Sequence, residues 1–238
     1  MALLPWQTAT VTSITQLTPN TRSFVLQVNE LDVFHFEPGQ FVTLDLPIHE
    51  KPNKRWRSYS IASWPDGTKS FELVIVLLQG GLGTTYLFNE VVVGTVITYR
   101  GAMGVFTLPE ELPNNLVLVC TGTGVAPFRS MAHYLLGVGC NKNIHLVFGC
   151  RTQQDLLYKN EFEKLQDTYP NFKYHPTLSR ETWSGHTGHV HEVYKALSIT
   201  MPDAQYYLCG WKVMIDEART TLTQLGYDKK AVHFELYG

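Results

Sequence analysis

The sequence predicts two domains of different class: an antiparallel Greek-key β-barrel over residues 1–110, then an α/β domain built on a parallel sheet over residues 111–238. Three observations carry this expectation. The first half breaks into short segments rich in β-branched and aromatic residues, with almost no helical period between them. The second half alternates continuous apolar runs with amphipathic stretches, the pattern of parallel strands covered on both faces. Between the halves lies Pro109-Glu110-Glu111-Leu112-Pro113-Asn114-Asn115, a polar joint with two prolines.

In the first half, strands are expected over 7–17, 22–28, 40–46, 56–63, 71–78 and 96–99. Thr18-Pro19-Asn20, Glu37-Pro38-Gly39 and Pro65-Asp66-Gly67 separate several of them, because proline presets φ and glycine supplies φ > 0. Val42, Leu44 and Leu46 alternate with Phe41, Thr43 and Asp45, which reads as one buried and one solvated face. A single short helix is expected over 84–90. The second half predicts strands at 116–120, 144–148, 172–178, 205–209 and 232–236. Helices are expected at 127–137, 159–167, 191–197 and 213–225.

Composition narrows the function classes. Of 238 residues, 19 are Lys or Arg and 21 are Asp or Glu, a net charge of −2 that argues against a nucleic-acid binder. Apolar residues reach 44% against 17% charged, so disorder is not expected. No apolar run approaches the length of a membrane helix, and Met1 to Gln7 lacks a signal-peptide pattern, so a cytoplasmic protein without membrane insertion is expected. Cys120, Cys140, Cys150 and Cys209 form no C-x-x-C pair and lack iron–sulfur spacing. The nine histidines show neither HxxxH nor HExxH, so no metal is assigned.

Three short motifs carry chemistry. Thr121-Gly122-Thr123-Gly124-Val125-Ala126-Pro127 follows the first apolar strand of the second half. Gly122 and Gly124 permit positive φ and close backbone approach, and Pro127 suits the first turn of a helix whose free amides attract a phosphate. The third glycine of the usual dinucleotide fingerprint is absent. In Arg57-Ser58-Tyr59-Ser60, a strand places Arg57 and Tyr59 on one face, a cation beside a ring, and Ser60 on the other. Gly80-Gly81-Leu82-Gly83-Thr84-Thr85 reads either as a phosphate site at a helix start, with Thr84 an extra donor, or as a hairpin loop with a threonine N-cap.

Taken in order, the barrel, RxYS, Gly-rich turn, linker, TGTGVAPF, Cys209-Gly210 and the ending Glu235-Leu236-Tyr237 resemble the ferredoxin–NADP reductase superfamily, from Pro38-Gly39-Gln40-Phe41 to Tyr237. The resemblance implies FAD on the barrel and a nicotinamide dinucleotide on the α/β domain. It implies that Arg57 pairs with the flavin diphosphate, which the amides after Gly81 and Thr84 also hold. Tyr59 would stack on the flavin, with Ser60 near its N5. Cys209 would flank the nicotinamide, Glu235 would close a polar relay to Ser60, and Tyr237 would cover the flavin face. Two departures stand out: Gly238 follows Tyr237, and Gly101-Ala102-Met103-Gly104 lacks the proline relatives often carry.

Two strand-end cations bear on the dinucleotide. Arg151 follows the second parallel strand, and Ser179-Arg180 the third, where open α/β sheets bind ligands. Leu178-Ser179-Arg180-Glu181 resembles the NADP-phosphate motif of the plant-type reductases, whereas their Lys and Tyr are missing and His189 and His191 fall in that stretch. NADP is therefore favoured over NAD. The expected activity passes hydride between NADP(H) and bound FAD and single electrons to or from a ferredoxin- or flavodoxin-like carrier. Alternatives are an NADH-dependent reductase component of an oxygenase, a free-flavin reductase, and a non-enzymatic flavin-binding subunit. The basic run Lys51-Pro52-Asn53-Lys54-Arg55-Trp56-Arg57 would suit an acidic carrier or remain a solvated loop.

Overall fold

Among the described residues, twelve strands and five α-helices lie in two compact units. A computed structural model describes residues 4–237, so Met1–Leu3 and Gly238 lie outside it. One unit comprises Met1–Thr107 with Arg129–Tyr134, the other Leu108–Phe128 with Leu135–Gly238.

The first unit holds β1 (Gln7–Thr18), β2 (Thr21–Val28), β3 (Phe41–Asp45), β4 (Trp56–Ser60), β5 (Ser70–Val76) and β6 (Val96–Met103), with α1 (Leu82–Asn89) between the last two. All pairings are antiparallel in the order β4-β3-β6-β1-β2-β5. A bridge from Ile61 to Leu73 closes β4 onto β5, which removes the open edges a six-stranded sheet would otherwise expose. The twelve-residue β1 wraps this curve by shifting register between Val11 and Ser13, the bend a bulge supplies. Phe24, Leu26, Val42, Leu44, Phe71, Leu73 and Tyr99 fill the interior. The alternation in β3 is imperfect: Thr43 is buried as well, because its hydroxyl bonds Ser58 Oγ across the strands at 2.9 Å.

The second unit holds β7 (Asn115–Thr121), both ends of α2 (Val125–Gly137), β8 (Asn143–Cys150), α3 (Lys159–Thr168), β9 (Phe172–Leu178), β10 (His186–Thr187), α4 (Val190–Thr200), β11 (Gln205–Trp211), α5 (Lys212–Gln224) and β12 (Val232–Tyr237). Its six strands are parallel in the order β10-β9-β8-β7-β11-β12. The chain runs outward from β7 through β8 and β9, then returns to the other side of β7 with β11. That reversal makes a topological switch point between β7 and β11, the crevice where such sheets bind ligands. Val117, Val119, Val147 and Leu208 pack one face against Val193 and Tyr194 of α4 and Met214, Ile215 and Ala218 of α5. The two-residue β10 carries too little pattern to be read from sequence. Among the described residues no helix is long and apolar enough to cross a membrane.

An acid-sensitive pair lies in the second sheet. His145 and His175 stand on adjacent strands with parallel rings, Nδ1 and Nε2 3.1 Å apart and so sharing one proton. Burial, then the charges of His145, His186 and Lys173, push His175 down to about 4. The unfolded chain, with histidine near 6.5, therefore binds more protons between pH 6.5 and 4, and stability falls as pH falls through that window. His175→Gln is expected to flatten this acid loss by about 2 kcal/mol, allowing for the ring's partial exposure. Urea midpoints at pH 7 and pH 4.5 measure it, and equal losses in both proteins would refute it.

Candidate functional site

In the first unit the chemistry gathers where β4 meets the start of α1. Arg57 and Tyr59 are half-buried on the same face of β4, flanked by the exposed Trp56 and Ser58. The Arg57 guanidinium donates to the carbonyls of Trp56 and Lys54 at 2.7 and 3.2 Å. Its stem lies across the first turn of α1, where a Cβ on Gly83 would come within 2.9 Å of Arg57 Cγ. Glycine at 83 is thus what lets a cation and a helix N-terminus converge. Gly81 caps that helix without any side-chain bond, so the first-turn amides keep their donors for a ligand. The Thr84 hydroxyl works within the turn, donating to the Gly81 carbonyl at 3.1 Å and accepting from the Leu78 amide at 3.1 Å. Its main service is to shape the cradle.

Tyr59 packs on the barrel core. Burial pushes its phenol up to about 12 against the pull of Arg57, so it stays protonated and able to donate at any physiological pH. Ser60 is buried at the end of β4, on the opposite face from Tyr59, just before the chain turns into the Ile61 bridge. Lys51 and Lys54 are exposed on the turn before β4, whereas Arg55 pairs with Asp45.

In the second unit the Gly-rich turn at 122–124 links β7 to α2, whose first turn includes the buried Pro127. The two glycines serve different ends. Gly122 takes φ +55°, while Gly124 is required for space: a Cβ there would lie 2.4 Å from the Cys209 carbonyl oxygen. The turn is therefore pressed against β11 at the switch point. Thr121 joins the same contact, its hydroxyl accepting from the Trp211 amide at 3.4 Å.

Cys209 is fully buried and stands beside Cys120 on one side and Glu235 on the other, with Trp211 opposite Tyr237 two residues on. Burial, reinforced by Glu235, pushes the Cys209 thiol well above its usual value, although Tyr237 and the Gly210 amide pull back by hydrogen bonding. A neutral thiol results, which excludes thiolate chemistry at this position. The neighbouring Cys120 is the residue sequence reasoning missed; only its place before the Gly-rich turn hinted at it.

Arg151 and Arg180 are exposed on the loops after β8 and β9, and among the described residues neither guanidinium has an ion-pair partner. Backbone bonds hold the loops together: the Ser179 amide reaches the Cys150 carbonyl at 3.0 Å and the Arg180 amide the Arg151 carbonyl at 2.9 Å. The Ser179 hydroxyl also donates to the Cys150 carbonyl, at 3.3 Å. His191 is committed elsewhere, to Glu217 at 2.8 Å and the Tyr194 hydroxyl at 2.7 Å, while His189 caps α4 exposed. No group of three His, Cys, Asp or Glu among the described residues is arranged to hold a metal ion.

Both units have known counterparts. The family described as oxidoreductase FAD-binding domain matches residues 8–108, and that described as oxidoreductase NAD-binding domain matches residues 118–220. Ferredoxin–NADP reductase B of Sorangium cellulosum is 34% identical over 238 residues, covering 96% of each chain. The phenol hydroxylase P5 protein of Acinetobacter pittii is 32% identical over 96% of this chain, which spans only 65% of that protein. Among solved structures, the Amycolatopsis cytochrome P450 reductase GcoB superposes with a TM-score of 0.87 at 27% identity, over 98% of this chain and 70% of that one.

Proposed function

Because the chain belongs to the ferredoxin–NADP reductase superfamily, as an FAD-dependent NAD(P)H reductase, we propose that it exchanges hydride with NADP(H) and single electrons with a ferredoxin- or flavodoxin-like carrier. The first unit fits the flavin: a guanidinium and unpaired helix amides meet where a diphosphate would sit, and a protonated phenol stands two residues along the same face. The second unit fits the dinucleotide, with its glycine turn at the switch point. FAD bound there supplies hydride acceptance and one-electron release, and the protein supplies position and polarity.

The chain's residues take these roles. Arg57 and the α1 amides hold the diphosphate, Tyr59 lies along the flavin ring, and Ser60 offers a hydroxyl near it. Gly122, Gly124 and the start of α2 hold the coenzyme pyrophosphate. Cys209 presents a small neutral thiol beside the nicotinamide, Glu235 keeps a carboxylate next to it, and Tyr237, opposite Trp211, adds an aromatic ring at the same end of the sheet. A cytoplasmic site of action is consistent with four cysteines none of which forms a disulfide.

The observation that carries NADPH over NADH is the pair of unpartnered guanidinia at the ends of β8 and β9. A 2′-phosphate wants cations there, whereas NAD wants an acid on the ribose hydroxyls. Arg180→Ala is expected to lower kcat/KM for NADPH about thirtyfold, the worth of a charge-assisted hydrogen bond, and to leave NADH turnover within about twofold. Equal values for both coenzymes before and after the substitution would remove the preference for NADPH and return the reading to the reductase component of an oxygenase.

A further inference from the structure

We propose that Gln153 is a positioning residue for coenzyme choice: by engaging both oxygens of the Glu181 carboxylate, it leaves Arg151 and Arg180 free for the 2′-phosphate of NADPH. The inference rests on the reading of those arginines given above, and deepens it.

Glu181 is the acid closest in sequence to Arg180, and left alone it would compete with a phosphate. It could pair with either guanidinium, or accept from ribose hydroxyls as the strand-end acids of NAD sites do. In the structure it pairs with neither guanidinium and is engaged by Gln153 instead. The Gln153 amide nitrogen donates to one carboxylate oxygen at 2.8 Å, and Gln153 Nε2 donates to the other at 2.6 Å. Those two bonds hold the Glu181 carboxyl below its ordinary value, so it remains ionised with each oxygen engaged by Gln153.

The second acid of these loops is engaged at one of its oxygens. Asp155 Oδ2 accepts from the Thr152 amide at 3.0 Å and from its hydroxyl at 2.9 Å, closing a capping box that presents Gln153. Two carboxylates are therefore occupied by neutral amides and a hydroxyl, while the two guanidinia beside them have no ion-pair partner among the described residues. Such an arrangement discriminates by charge. A phosphomonoester dianion meets two cations that have no ion-pair partner among the described residues, whereas a coenzyme with a bare ribose brings them no charge. The Gln153–Glu181 pair also ties the β8 and β9 loops together, three residues beyond the last sheet pairing, Cys150 with Leu178.

The test uses FAD-loaded protein and two readouts, steady-state kinetics with each coenzyme and calorimetric binding of 2′,5′-ADP. Gln153→Ala removes the Nε2 bond and frees one carboxylate oxygen, while the backbone amide keeps the other. It is expected to raise KM for NADPH and Kd for 2′,5′-ADP about tenfold, with kcat unchanged and KM for NADH unchanged or lower. The double variant Gln153→Ala/Glu181→Gln removes the released charge and is expected to recover most of the NADPH affinity, which a merely structural role for Gln153 would not predict. Equal changes in kcat and in both KM values, or no recovery in the double variant, overturn the inference. If Arg180→Ala abolishes the NADPH preference while Gln153→Ala does not, this inference fails and the arginine reading stands. If the wild type binds 2′,5′-ADP no more tightly than 5′-AMP, both fail together.

Discussion

Gly124→Ala is expected to lower kcat/KM for the nicotinamide coenzyme at least a hundredfold while the protein keeps its flavin. The added methyl would sit 2.4 Å from the Cys209 carbonyl oxygen and 2.7 Å from its carbon. Both atoms are backbone, so neither can rotate away, and either the turn or β11 must move. Shifting β11 would disturb the pairing of Cys209 with Cys120 and the Trp211 bond to Thr121. Overpacking of this kind costs about 1–3 kcal/mol in stability. Its larger effect is positional, because a displacement of about 1 Å at a cofactor site can cost a hundredfold in rate. Gly122→Ala is the internal control. Open space surrounds a Cβ at that position, and only its φ of +55° is unfavourable, so the loss there should stay within about tenfold. Steady-state kinetics with the 450 nm flavin absorbance of the same samples measures both. Wild-type kcat/KM in Gly124→Ala would show that the coenzyme does not use this turn.

Arg57→Ala is expected to purify colourless, with FAD binding weakened about a hundredfold. The side chain lies over Gly83 at the start of α1, so its loss removes a fixed cation and leaves the helix amides as the only diphosphate donors. Charge-assisted hydrogen bonds are worth about 1.5–3 kcal/mol each, which sets the scale. Arg57→Lys should recover only part of the affinity, because an ammonium cannot reproduce the planar fork that the Trp56 and Lys54 carbonyls hold in place. Fluorescence titration of the apoprotein with FAD gives the dissociation constants. Unchanged affinity in Arg57→Ala would remove the diphosphate from this end of the barrel. A wild type that also purifies without flavin would favour the free-flavin reductase reading.

Where local pattern decides structure, the elements could be read in advance. The central strand β7 announces itself as the unbroken apolar run Leu116–Cys120 because both of its faces are covered, and the bounds 172–178 expected for β9 are those observed. The barrel strands show a period of two, except that Thr43 is buried too while its hydroxyl bonds that of Ser58 on the facing strand, a pairing across fifteen residues that no local pattern encodes. α2 begins at Val125, two residues before the proline that marked its first turn, since a helix can start upstream of a proline within that turn.

Much of the candidate site followed a different rule. The placement of Arg57 beside Tyr59 follows from strand geometry alone, and the glycine turn after β7 was legible as a motif. What Gly124 is for was not, because the carbonyl that excludes a side chain there belongs to a residue 85 positions later. The Gln153–Glu181 contact spans 28 residues and depends on the register of two parallel strands, which the helices packed across the sheet determine.

By itself, then, the order of residues determined two domain classes, their elements and the chemical types gathered at each motif, since those depend on period, dihedral preference and charge. Only the tertiary structure decided which carboxylates are occupied and which cations stay unpaired, and why a glycine must stand where β11 passes. Those outcomes depend on distances between segments remote in the chain, which the packing of helices on sheet sets and no local preference records.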